Sequence, residues 1–360
     1  MRVAYRIPLL VLGFLSLGFG IAAGLARLGF GVGLPTAALP ALHGPLMAGA
    51  FFGSVIGLER AVALGRGWAY AAPLAAGVAG LAWILGAPAA VGGALLFAGG
   101  VVLLAASLVV FRMQPALHNA CLAAGAACFA LGGVAVAAGE ITAATPAWIG
   151  FLVLTIAGER LELSRFMPPS PGAKRVFAAV CALLFGASVL AVFVPAAGWK
   201  LFAAALLALA AWLAAKDIAR RTVRERGLTR YIAWALLAGY GWLALGALAA
   251  LASAEFAPGQ PAWDAALHAW FLGFVFSMVF GHAPIIAPAL LRVALPYHAA
   301  FYLPLILLHA SVALRFAGSL LALPWLRETA ALGHAAAIAL FIVTMGARAL
   351  SAPGPQAGKV

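Results

Sequence analysis

The sequence predicts an all-α fold, a polytopic transmembrane helix bundle of about twelve helices, on three observations. Of its 360 residues, 66% are hydrophobic and only 9% charged, more apolar surface than a water-soluble domain hides behind so little charge. Runs of roughly 20 apolar residues recur along the whole length, each enough to cross about 30 Å of hydrocarbon. Basic residues collect at alternate ends of those runs, as the positive-inside rule requires. A barrel is excluded: its segments alternate apolar and polar, whereas LLAGYGWLALGALAALA (236–252) is apolar on every face.

Helices are expected at roughly 6–28, 40–64, 68–86, 90–111, 116–138, 144–164, 175–195, 199–216, 229–252, 263–287, 299–318 and 330–350. The first has the charge-then-apolar order of a signal peptide, but its run is too long for one, so it is taken as a spanning helix. Helix two carries a stripe, Gly49, Gly53 and Gly57, whose small side chains let a neighbour approach closely. Cys121, Cys128 and Cys181 all fall inside apolar runs and read as small core residues. Helix six ends in GERLELS, and MPPSPGAK (167–174) then breaks the chain near its middle. A single domain, 1–360, therefore carries candidate halves 1–167 and 174–352. Both GLERAVAL and GERLELS put Glu-Arg at a helix end, a weak echo between helices two and six. Between helices eight and nine, KDIARRTVRERGLTR (216–230) is the most basic segment; it holds its helices in orientation or lies on anionic headgroups. In helix ten, Pro284 removes the hydrogen bond to the Phe280 carbonyl and predicts a kink beside His282. Trp148, Trp199 and Trp263 lie near expected helix ends and read as an aromatic belt.

With the N-terminus cytoplasmic, the cytoplasmic ends hold most of the basic residues, from Arg2 and Arg6 through Arg165 to Arg348 and Lys359. The opposite ends keep only Arg27, Lys200, Arg315 and Arg327. An even helix count then leaves both termini cytoplasmic, and the bacterial inner membrane is the expected location. The net charge of +13 is spread over short loops, so it sets orientation and offers no nucleic-acid face. Membrane lipid is the expected partner, and oligomeric state is open. The sequence has no nucleotide loop, G-x-S-x-G element, HExxH motif or lipidation signal, and no residue set marks a catalytic role.

Chemistry is therefore sought among ionisable side chains inside the bilayer, each costing on the order of 2.5–3.5 kcal/mol to insert. His43, His268 and His334 fall within about two turns of the periplasmic ends of helices two, ten and twelve, at one depth. His282 on helix ten and His309 on helix eleven lie about 12–16 Å in from the cytoplasmic ends, where those two could meet. His268 and His282 are about four turns apart on nearly one face. A neutral imidazole ligates haem iron or copper without importing charge; interhelical hydrogen bonding is the plainer alternative. His118 and His298 open helices at the cytoplasmic interface and read as interfacial. Glu59-Arg60 and Glu159-Arg160 read as structural ion pairs running between helices two and six, or as a proton uptake point.

These residues resemble known proteins. LHGPLMAGAFFG (42–53) resembles the H-G-x-x-M stretch of haem-copper oxidase subunit I, whose histidine is an axial haem ligand near the periplasmic face. LHAWFLGFVFSMVFGHAPIIAPALL (267–291), within twelve helices, is similar to the histidine-rich segment of the NnrS family, haem- and copper-associated membrane proteins linked to nitric oxide stress. The resemblance implies His43 and His268 as the axial pair of a b-type haem, with His334 also at the cofactor and His282 and His309 as further metal ligands, copper included. It implies a small diatomic or redox ligand. The chain departs from the oxidases in lacking a His-His pair and an H-P-E-type segment on helices six and seven, so oxygen or nitric oxide reduction by their mechanism is not expected. A proton-coupled secondary transporter is the rival expectation, and an assembly factor without its own chemistry a third.

Overall fold

The computed structural model describes residues 3–164 and 167–351, and within them every regular element is helical. Arg2, Arg165 and Lys359 lie outside the described residues. The main rods are α1 (Ile7–Ala26), α2 (Pro45–Leu64), α3 (Ala71–Ile84), α4 (Ala89–Met113), α5 (Leu117–Ala137), α6 (Ala144–Leu163), α7 (Pro171–Phe193), α8 (Pro195–Lys216), α9 (Gly227–Ala252), α10 (Pro261–Leu291), α11 (Tyr302–Leu320) and α12 (Pro324–Leu350). Eleven of the described helices are long and apolar enough to cross a membrane. The remaining rod, α6, ends in Glu159, Arg160 and Glu162 and is buried on most faces. It is the bundle's central helix, so its charged end meets protein rather than lipid.

Proline opens α1, α2, α7, α8, α10 and α12, where the missing N–H costs no intrahelical bond. Ser170 caps α7 by accepting from the Ala173 N–H at 3.2 Å. Gly65 stops α2 in the left-handed region, φ 70°, which a Cβ would resist. Inside the rods, serine hydroxyls donate back one turn, Ser16 to Leu12, Ser54 to Ala50 and Ser188 to Leu184, so these hydroxyls are satisfied within their own helices.

One continuous core runs from Leu17 to Phe341. The glycine stripe of α2 packs as expected: a Cβ on Gly53 would stand 2.5 Å from Phe129, and one on Gly57 3.1 Å from the Pro73 nitrogen. The aromatic belt is corrected. Trp148 is buried against Gly49 and Gly132, and Trp199 is buried in an aromatic cluster with Phe202, Trp263 and Trp270. The cysteines are buried and unbridged.

Pro284 and Pro288 sit inside α10. The Tyr231 hydroxyl on α9 donates to the Phe280 carbonyl at 3.0 Å, replacing the bond that Pro284 cannot make. Two rods also depart from α geometry where the sequence gives no warning. Pro45–Phe51 of α2 and Ala269–Phe276 of α10 are π-helical. Each segment starts just after a histidine, His43 or His268, and each ends on a phenylalanine eight residues beyond it; the two rings, Phe51 and Phe276, stack at 6.2 Å. Such wide turns recur at functional sites.

Candidate functional site

The starts of α2 and α10 and the third turn of α12 bring His43, His268 and His334 into the wall of one cavity of about 600 Å³. This is the size range of small-molecule and cofactor pockets. The cavity lies between the helix ends opposite the face that carries Arg6, Arg60 and Arg160. That second face is called the basic face below, and the first the histidine face.

Each imidazole is fixed through the same atom. His43 Nδ1 donates to the Gly20 carbonyl at 2.7 Å, and His268 Nδ1 to the Asp264 carbonyl at 2.7 Å. His334 Nδ1 lies 2.8 Å from Ser311 Oγ, whose own proton goes to the Leu308 carbonyl at 2.9 Å, so the hydroxyl accepts. All three rings are thereby held with Nε2 as the free lone pair. His334 Nε2 is buried with no hydrogen-bond partner among the described residues, an arrangement that ordinarily costs on the order of 1–3 kcal/mol. The His268 and His334 ring centroids are 5.9 Å apart and the ring planes 18° from parallel. The His43 ring is cradled by α1, where a Cβ on Gly24 would stand 2.8 Å from its Cε1.

Four polar groups complete the histidine face. Arg315 donates to Asp264 through Nε at 2.8 Å and Nη2 at 2.7 Å, a bidentate pair. Ser319 donates to the same carboxylate, and Arg327 approaches it at 3.8 Å. Arg27, Arg315 and Arg327 all border the cavity against one carboxylate, Asp264. An anionic group is the complement of that excess charge.

The other two histidines are not brought together. His282 Nδ1 donates to the Met278 carbonyl at 2.8 Å, and its Nε2 lies 3.3 Å from Arg160 Nη1, which donates. His309 Nδ1 accepts from the Trp242 indole at 3.0 Å and its Nε2 faces Ser277 Oγ at 3.2 Å. Both nitrogens of each ring are occupied, so as they stand neither offers a lone pair to a metal. Among the described residues no three of His, Cys, Asp and Glu are grouped to hold one metal ion.

Of the Glu-Arg residues, Arg60 on α2 and Glu159 on α6 form an ion pair between the two helices. Arg160 pairs with Asp217 instead, at 2.8 and 2.9 Å, and Tyr240 donates to that carboxylate at 3.0 Å. Glu59 has no hydrogen bond or ion pair among the described residues. It borders a second cavity, about 290 Å³, on the basic side, together with Glu159, Arg160 and His282.

Sequence reasoning passed over Asp217 and Asp264 and counted Arg315 only among the basic residues of one face. They are nevertheless marked: the chain has only two aspartates, Asp217 and Asp264, and each takes an arginine in two parallel bonds. Asp264 also precedes His268 by four residues, one helical turn on the same face. Ser311 carried no signal of its own.

Fold and cavity together define a multi-pass helical membrane protein with a histidine-lined chamber near one face. The chain belongs to the family described as Domain of unknown function (DUF8744), whose profile matches residues 6–350. No curated protein matches it.

Proposed function

We propose that this chain is a haem-binding membrane protein of NnrS-like type, seated in the bacterial inner membrane with both termini cytoplasmic, and that it serves nitric oxide response or redox chemistry. The observation that carries this reading is the shared posture of His43, His268 and His334: Nδ1 held by an acceptor, Nε2 free, all three in one cavity. That is how a protein orients imidazoles toward iron, with the second nitrogen fixing tautomer and ring direction. The orphaned Nε2 of His334 fits a missing partner better than a purely structural histidine does.

When bound, a b-type haem would supply an iron that cycles by one electron. The residues would divide the work as follows. By the resemblance His43 and His268 would hold the iron, and His334, whose ring centroid lies 5.9 Å from that of His268, would also stand at the cofactor. Arg27, Arg315 and Arg327 border the cavity and would supply cationic partners for the haem propionates, with Asp264 fixing the Arg315 guanidinium. Among the described residues no three ligating groups converge to hold a copper ion.

The test is the absorption spectrum of the full chain purified in mild detergent, oxidised and dithionite-reduced, with metal analysis on the same sample. A Soret band with sharp reduced α and β bands, lost in His43→Ala and in His268→Ala, is expected. A colourless, iron-free protein from haem-replete cells overturns the reading.

A further inference from the structure

The two cavities share walls. Phe52, Phe276 and Ile338 line both the histidine cavity and the basic-side cavity. All three are almost fully buried, and the Phe52 and Phe276 rings meet edge to face at 5.3 Å. One side-chain layer therefore separates two chambers that lie toward opposite faces of the membrane. The backbone behind that layer is unusual on both sides: the π-helical turn of α10 ends at Phe276, and that of α2 ends one residue before Phe52. Both π turns therefore abut this layer, and such turns recur at functional sites.

The basic-side chamber is apolar apart from a few groups. Facing Glu59 are Arg60 on its own helix, Glu159, Arg160 and Glu162 from α6, and His282 from α10. Arg6, at the start of α1, donates to the Leu290 carbonyl at 2.7 Å, and Asp217, beyond α8, is bound to Arg160. Arg60 is taken by Glu159 and Arg160 by Asp217. Among the described residues Glu59 and Glu162 make no ion pair, the Arg60 guanidinium beside Glu59 being bound to Glu159, and of the two only Glu59 borders the chamber. A carboxyl in a membrane with no partner is a functional candidate by default, and its smallest counter-ion is a proton.

We propose that the chain carries a gated proton path between the basic face and the histidine cavity, with Glu59 as the loading carboxyl and the Phe52, Phe276 and Ile338 layer as the gate. In one transfer the Glu59 carboxylate takes a proton from water at the basic face. With the layer parted it releases that proton to water in the histidine cavity, and the carboxylate is regenerated. No electron moves and no covalent bond other than O–H is made or broken. The path does not rest on the haem reading, because none of its groups is a candidate haem ligand.

The full chain is reconstituted into phosphatidylcholine and phosphatidylglycerol vesicles that trap a pH-sensitive dye, and a valinomycin-set potassium potential drives protons. Expected are a low wild-type flux, a several-fold rise in Phe276→Ala, and a return to the protein-free rate in Phe276→Ala with Glu59→Gln. Phe52→Ala probes the same layer from α2 should the first variant not fold. Flux in either alanine variant equal to the wild type overturns the gate. A double variant as leaky as the single overturns Glu59. On wild-type protein alone, a pH-difference infrared spectrum should hold a carboxylic C=O band that Glu59→Gln removes, and identical spectra overturn the loading role. An absorption spectrum of the same sample separates failure of this path from failure of the haem reading.

Discussion

Asp264 and Arg315 are joined by two parallel hydrogen bonds, 2.8 and 2.7 Å, from a guanidinium whose side chain is only 6% exposed. The pair ties the first turn of α10 to α11 one turn below His268. Removing one partner of a buried pair leaves the other charge uncompensated. Asp264→Asn should cost about 3 kcal/mol, the lower end of that range because the carboxylate is partly exposed. Adding Arg315→Met should recover part of the loss. Thermal denaturation in detergent checks both, and an additive double variant would sink the account.

Gly24 can be read as a seat for His43. A Cβ there would stand 2.8 Å from the ring, whereas one on Gly18 meets nothing within 4 Å. Gly24→Ala should therefore displace the imidazole, with an overpacking cost of about 1–3 kcal/mol and, on the proposed haem reading, a weaker Soret band. Gly18→Ala is the control, expected to change neither; equal effects of the two would refute the cradle.

Ser311 accepts from His334 and so sets which nitrogen is free. Ser311→Ala leaves a buried Nδ1–H unpaired at a cost of about 1–3 kcal/mol, unless the ring turns or changes tautomer. Nitrogen-15 shifts of labelled histidine report this directly: one imidazole should lose its fixed Nδ1–H form. Unchanged shifts would show that Ser311 does not set the tautomer.

The bond from Tyr231 to Phe280 bridges the proline kink of α10. Tyr231→Phe keeps the ring and removes only the donor, leaving a buried carbonyl open at about 1–2 kcal/mol. Amide exchange near Phe280 should quicken while distant helices keep their protection. No local change would mean the kink needs no outside donor.

Much of this architecture is legible in the residues. The spacing of apolar runs places all twelve rods within a few residues, since about 20 apolar residues have one economical conformation in lipid. The common depth of His43, His268 and His334 also follows from counting residues along helices. What counting cannot give is azimuth and neighbour. His282 and His309 share a depth, yet α10 turns one toward Arg160 on α6 and α11 turns the other toward Trp242 on α9. Glu59 and Glu159 look alike in sequence, but among the described residues only Glu159 makes an ion pair with a guanidinium. Trp148 and Trp199 sit at belt height but on inward faces. The π-turns leave no trace in hydropathy, because a widened turn changes the backbone and not the composition.

α10 is moored at three heights. Near the histidine face Asp264 grips Arg315, beyond mid-length Tyr231 holds Phe280, and on the basic side Arg160 leans on His282. A rod so moored transmits tilt rather than sliding. Any widening at His268 is felt as tension on these ties unless the loose turn at Ala269–Phe276 bends first. That turn is itself tied to α9, where Trp270 donates to the Leu243 carbonyl at 3.2 Å, so a disturbance at one face can reach the other through α9 as well as along the rod.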